Sequence, residues 1–150
     1  MPEFFAFEAD FVESLRCIPM QVRFKLDTCG VKLKLHQWNQ FDHRDRAHLV
    51  EQPCDSPDAI QTYRADLRAL VLERTGETAT DLAIDPAPPW LDATTIPESV
   101  QHQAQTLGMA IAPAQWATLS PLQRFALIKL SRSNHENSNF LPALQEFGIA

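Results

Sequence analysis

Apolar residues recur at spacings of three and four along most of this chain. Phe4, Phe7, Phe11 and Leu15 form the first stripe, which predicts an N-terminal helix, capped by Asp10 if it starts late. Pro19 interrupts the chain and suits the first turn of a second helix, where its missing N–H has no partner to lose. Ile18, Val22, Leu26 and Cys29 line one face of that helix, and Gly30 follows as a residue able to take positive φ. Val31, Leu33 and Leu35 then alternate with Lys32 and Lys34. Alternation alone predicts a short strand, whereas the repeat below favours a connector entering a short helix.

Shifting the chain by 78 positions lays Ile18–Val50 on Ile96–Ile128 without a gap, and nine of 33 positions are identical. Chance matching at ordinary residue usage gives about two. The identities are Ile18/Ile96, Pro19/Pro97, Val22/Val100, Thr28/Thr106, Gly30/Gly108, Gln37/Gln115, Trp38/Trp116, Arg46/Arg124 and Leu49/Leu127. They fall at a helix start, a helix stop, a tryptophan turn and a following helix, which is the signature of a repeated supersecondary unit. Asp42 and Ser120 stand at equivalent N-cap positions, with Pro121 at N1 in the second copy. Further along, with a one-residue slip, Tyr63, Leu67 and Leu70 match Phe140, Leu144 and Phe147. Ser56, Pro57, Asp58 and Gly76 punctuate the last helix of the first copy, while Pro142 and Gly148 bound that of the second.

Between the copies, Glu77–Ile96 carries Pro86, Pro88 and Pro89 and no basic residue. Proline density predicts extended chain, and Ile84, Trp90, Leu91 and Ile96 predict that it straps onto the body. The expected fold is therefore all-α without a substantial sheet. It is a single domain over 1–150, with two pseudo-symmetric helical repeat units (about 18–72 and 96–149), a Pro-rich strap over 77–95, and an N-terminal helix.

Composition narrows the function classes. No apolar run is long enough for a transmembrane helix, and the acidic, aromatic N-terminus lacks the basic region of a signal peptide, so no membrane association and a cytoplasmic location are expected. A net charge of −6 argues against nucleic acid as a partner. Three cysteines, Cys17, Cys29 and Cys54, without a CxxC read as buried thiols. Charge is uneven: Arg16, Arg23, Lys25, Lys32 and Lys34 cluster early, and no Lys or Arg occurs from Thr75 through Gln123. The early cluster is either a basic docking face or one side of intramolecular pairing with the acidic segment.

Trp38, Trp116, Arg46, Arg124, Gly30 and Gly108 occur in both copies and are expected to maintain the unit, each Arg by stacking on an indole or bonding carbonyls at a helix end. The asymmetric stretch is Ser131–Asn139. There Arg132, His135, Glu136, Asn137 and Asn139, with Lys129, form a candidate site for a partner or ligand, because loops on a rigid scaffold concentrate function. The competing reading is a capping network in which Asn137, Ser138 or Asn139 caps the last helix and Glu136 pairs with Arg132. No P-loop, GxGxxG, GxSxG or HExxH motif is present. No catalytic residue, metal or cofactor is assigned, although long-range metal ligation and a small-ligand or enzymatic site at the loop stay open, and no oligomeric state follows.

Three blocks, FEADFVESLRCIPMQVRFKLDTCGVKLKL (Phe7–Leu35), QWATLSPLQRFALIKLSR (Gln115–Arg132) and HENSNFLPALQEFG (His135–Gly148), resemble the nitrate reductase-associated protein family. The resemblance implies a non-enzymatic accessory protein needed for the activity, assembly or stability of assimilatory nitrate reductase. That enzyme carries an iron–sulfur cluster and a molybdenum cofactor, so a metal or cofactor carrier during its maturation is the alternative. The resemblance assigns no residue a catalytic role.

Overall fold

Residues that must begin or end a helix set the element boundaries. The computed structural model describes residues 5–8, 18–132 and 137–150. Eight α-helices occupy the described residues: α1 Met20–Cys29, α2 Leu35–Gln40, α3 His43–Glu51, α4 Pro57–Thr75, α5 Glu98–Thr106, α6 Pro113–Thr118, α7 Pro121–Arg132 and α8 Phe140–Glu146. Short 3-10 turns stand at Ala6–Glu8, Pro89–Leu91 and Asn137–Asn139. The alternation after Gly30 yields a two-residue strand, β1 Val31–Lys32, before the chain enters α2. β1 pairs antiparallel with β2 Thr80–Asp81, Val31 opposite Asp81 and Lys32 opposite Thr80. The chain is thus mostly helical with one minimal ribbon. Of the helix expected from Phe4 to Leu15, only Phe5–Glu8 is described, and its remainder lies outside the described residues.

Local chemistry explains each start and stop. Asp42 caps α3 by accepting from the Asp45 backbone N–H at 2.8 Å, and the Asp45 carboxylate accepts from the Asp42 N–H at 3.1 Å. Ser120 and Gln123 form the equivalent reciprocal pair at α7. Ser56 caps α4 ahead of Pro57, and Gly76 ends it at φ 74°. α1 differs, because Pro19 at its N-cap offers no side-chain acceptor. Glu8, 1% exposed, supplies one from a distance, accepting from the Met20 N–H at 3.3 Å.

Contacts divide the chain into two compact units: one of Glu8 and residues 18–85, the other of residues 5–7 and 86–150. In the first unit Val22 and Leu26 of α1, Trp38, Leu49, and Tyr63, Leu67 and Val71 of α4 form the core. The four-residue spacing on α4 puts all three of its contributors on one face, each fully buried, and each such side chain contributes about 1.5–3 kcal/mol. Tyr63 hands its hydroxyl to the Leu49 carbonyl at 2.9 Å, so the ring is buried with its polar end satisfied. The strap's first part belongs to this unit. Leu82 N–H donates to the Gly30 carbonyl at 2.9 Å, and Ile84 covers Gly30 so closely that a Cβ there would lie 2.8 Å from its Cγ1.

In the second unit α7 is enclosed rather than one-sided, with Arg124–Ile128 and Leu130 all buried. Around it stand α5, α8 and the 3-10 turn at Pro89–Leu91. Trp90 is the strap's anchor here, 8% exposed and edge-on to Phe125 at 5.0 Å, whereas Ile84 and Leu91 are exposed. Phe5 and Phe7 pack on each other and on Phe147.

Three of the paired positions make like backbone contacts. Gln37 and Gln115 accept from the N–H three residues before them, at 3.0 and 2.9 Å. Trp38 and Trp116 are fully buried. Arg46 Nε donates to the Trp38 carbonyl and Arg124 Nε to the Trp116 carbonyl, both at 3.2 Å. Each guanidinium therefore ties the following helix to the end of the tryptophan turn, as a second donor to a carbonyl that also accepts the backbone N–H of Phe41 or Leu119.

Candidate functional site

The polar corner after α7 is the place where the second half of the sequence departs from the first. Arg132 is the last residue of α7 and is exposed. Lys129, one turn earlier, is half-buried with its ammonium 5.2 Å from the centre of the Phe125 ring. Ser131 turns inward, donating to the Ile128 carbonyl at 2.8 Å and meeting Ser99 of α5 at 3.0 Å. Asn139 stands at the N-cap of α8 with αR backbone and makes no side-chain capping bond, which removes it from the capping network. Asn137 opens the 3-10 turn. His135 and Glu136, and with them the Glu136–Arg132 pair, lie outside the described residues. Two cations, Lys129 and Arg132, thus stand at the C-terminal end of α7, where a helix end favours positive charge.

The early basic cluster divides by what each head group does. Lys25 lies over Tyr63 and donates to the carbonyls of Val50 and Gln52, both at 2.7 Å. It closes the C-terminal end of α3, and burial holds its ammonium below the usual lysine range despite the opposing influence of Cys54 and Asp55. Lys32 and Lys34 are exposed beside the ribbon, and Arg23 is half-buried and engaged within the fold. Arg16 and Cys17 lie outside the described residues.

The acidic segment finds other partners. Asp81 receives Arg64 and Arg68, each at 2.7 Å, which hold its carboxyl below the usual range, the Arg64 hydrogen bond foremost. Glu77 meets His36 at 2.8 Å, and that bond lowers its carboxyl too. Arg64 also reaches the Cys29 and Gly30 carbonyls at 3.0 and 2.9 Å, clasping the end of α1. Cys29 is buried and Cys54 half-buried, both as free thiols. Burial raises both, Cys54 to about 12, which keeps them protonated and poor as nucleophiles or ligands at neutral pH. Among the described residues no three His, Cys, Asp or Glu side chains cluster as metal ligands.

Sequence reasoning missed a cleft of about 390 Å³ between α3 and α4, in the first unit. Leu49, Ala69 and Leu70 give its apolar lining, Arg44 and His48 stand one turn apart on α3, and Asp66 and Glu73 stand two turns apart on α4. Asp45 also lines it, held by Arg74 through bonds of 2.9 and 3.2 Å. The spacings 44/48 and 66/73 were present in the chain, but only packing puts the two pairs across from each other.

Comparison with known proteins agrees with the resemblance of the sequence blocks. A family model described as conserved nitrate reductase-associated protein matches residues 4–147, which is nearly the whole chain. No curated protein and no solved structure matches it. With both halves and the segment between them inside that match, the chain belongs to the conserved nitrate reductase-associated protein family.

Proposed function

We propose that this protein is a non-enzymatic accessory of assimilatory nitrate reductase, acting in the cytoplasm by binding the reductase and supporting its activity, assembly or stability. The family match over residues 4–147 carries the reading. The structure's use of polar groups supports it. Among the described residues the buried ones, Glu8, Gln37 and Arg124, serve helix ends or turn carbonyls. The proposed contact surface joins Lys129, Arg132 and Asn139 to His135, Glu136 and Asn137, with Lys32 and Lys34 as a second, basic patch. The two helical units, about 18–72 and 96–149, derive in this reading from one duplicated unit. The sequence identities and the matching Trp–Arg contacts support that origin.

The test is recovery of nitrate reductase with the tagged protein from cells grown on nitrate. The reductase is expected in the eluate, and Arg132→Ala with His135→Ala is expected to reduce its recovery while leaving the melting temperature unchanged. Recovery no greater than from an untagged strain overturns the proposal. Undiminished recovery with the double variant overturns the assignment of the corner. A stoichiometric metal or chromophore on protein purified under reducing conditions would instead favour a cofactor carrier.

A further inference from the structure

The cleft between α3 and α4 has a composition that selects an occupant. Its apolar lining is aliphatic, from Leu49, Ala69 and Leu70, and its α4 side places two exposed carboxylates, Asp66 and Glu73, about 10 Å apart along the helix. Among the described residues, Asp66 accepts from Gln52 Nε2 at 2.9 Å, and Glu73 has Arg74 at 3.8 Å. Asp45 is already paired with Arg74. The remaining lining charges are therefore two carboxylates against one guanidinium, that of Arg44, with no ion pair closing the cleft among the described residues. Carboxylates beside an apolar lining are complementary to a lysine or arginine side chain, whose stem lies on aliphatic surface while its head meets a carboxylate. Arg44 and His48 on α3 offer donors to the carbonyl oxygens of the same segment.

Resting on the reading that this protein binds nitrate reductase, we infer that the α3–α4 cleft is a docking site for a reductase segment presenting a basic side chain beside an aliphatic one. The aliphatic residue seats on Leu49 and Leu70, and the basic one bridges to Asp66 or Glu73. The cleft belongs to the first unit and the corner at Arg132 to the second.

The experiment is titration of purified nitrate reductase with purified protein in wild-type form, as Asp66→Lys with Glu73→Lys, and as a control with the same charge change elsewhere on exposed surface, Glu51→Lys with Glu98→Lys. Circular dichroism and melting temperature establish that each variant is folded. The expected result is at least a tenfold weaker Kd for the cleft variant and less than a threefold change for the control. Equal affinity of wild type and cleft variant overturns this inference and leaves the proposed function standing. Equal weakening by both variants also overturns it, since bulk charge then explains the effect. Absence of binding by the wild type overturns the proposed function and the docking site together.

Discussion

The Arg46 and Arg124 sites begin from the same sequence signal and end in different environments. Both guanidiniums donate to the carbonyl of a tryptophan eight residues earlier, and to the carbonyl that follows it, Asn39 for one and Ala117 for the other. Arg46 stops there, stacked 5.7 Å over Trp38 and half-buried. Arg124 goes further, donating to Leu119 at 2.7 Å and, across 34 residues, to Trp90 at 3.0 Å, and is only 6% exposed. The difference comes from the strap. Its Trp90 turn packs on Phe125, closes over Arg124 and supplies a further acceptor, whereas Arg46 stays partly in water. One motif can therefore be a surface brace in one unit and a buried hub in another.

The largest effect that would break the comparison lies at Arg124. Arg124→Ala removes the donor shared by the Trp116, Ala117, Leu119 and Trp90 carbonyls; Trp116 keeps the Leu119 N–H, and each buried acceptor left without a partner costs about 1–3 kcal/mol. A loss of about 3 kcal/mol or more is expected in urea denaturation, against about 1 kcal/mol for Arg46→Ala. Equal losses would mean that the strap adds nothing to the clamp.

The paired glycines sharpen the contrast next. Gly30 and Gly108 stand at φ 76° and 77°, so alanine is strained at both by about 1 kcal/mol. At Gly108 a Cβ meets nothing within 4 Å, while at Gly30 it falls 2.8 Å from Ile84 and 3.0 Å from the Leu82 carbonyl. Gly30→Ala is therefore expected to cost about 1 kcal/mol more than Gly108→Ala. Identical melting temperatures for the two variants would show that the first part of the strap is not seated on Gly30.

The smallest effect concerns acid. Burial pushes the Asp45 carboxyl up, but the Arg74 hydrogen bond and charge, with the Asp42 backbone N–H, outweigh it and hold the group below its ordinary value. A depressed folded pKa contributes stability that is present above about pH 4, the unfolded carboxylate value, and is lost as pH falls through the folded value. Asp45→Asn should lower stability at pH 7 and flatten the wild-type decline below about pH 4. A decline of unchanged slope would place that acid sensitivity elsewhere.

The same contrast marks what was legible in the chain. Signals confined to a few neighbours read well. Ser56 with Pro57, Asp42 with Asp45, Ser120 with Pro121, and the glycine stops at Gly30 and Gly76 act through bonds formed within four residues. Partners far apart in sequence did not read. Nothing near Met20 announces that Glu8 will cap it, and the sign of Lys25 says nothing of the Val50 and Gln52 carbonyls that engage it. Asp81 faces Arg64 and Arg68, because the ribbon lays β2 back along the end of α1, while Glu77 meets His36 and feels the charge of Lys34, one of the early basic residues. The cleft stayed invisible for the same reason, since Arg44 and Glu73 line one concavity only once α3 has packed on α4. Of the corner, Arg132 and Asn139 were recognisable by type, but whether Asn139 capped α8 depended on backbone dihedrals that composition does not carry.

The measurement that bears most directly on the proposed role is nitrate reductase activity, with reductase protein quantified alongside, in extracts of nitrate-grown cells lacking this protein. A drop of several-fold, restored by expressing the wild-type chain, is the expected result. Reductase activity and abundance equal to those of the parent strain would contradict an accessory role.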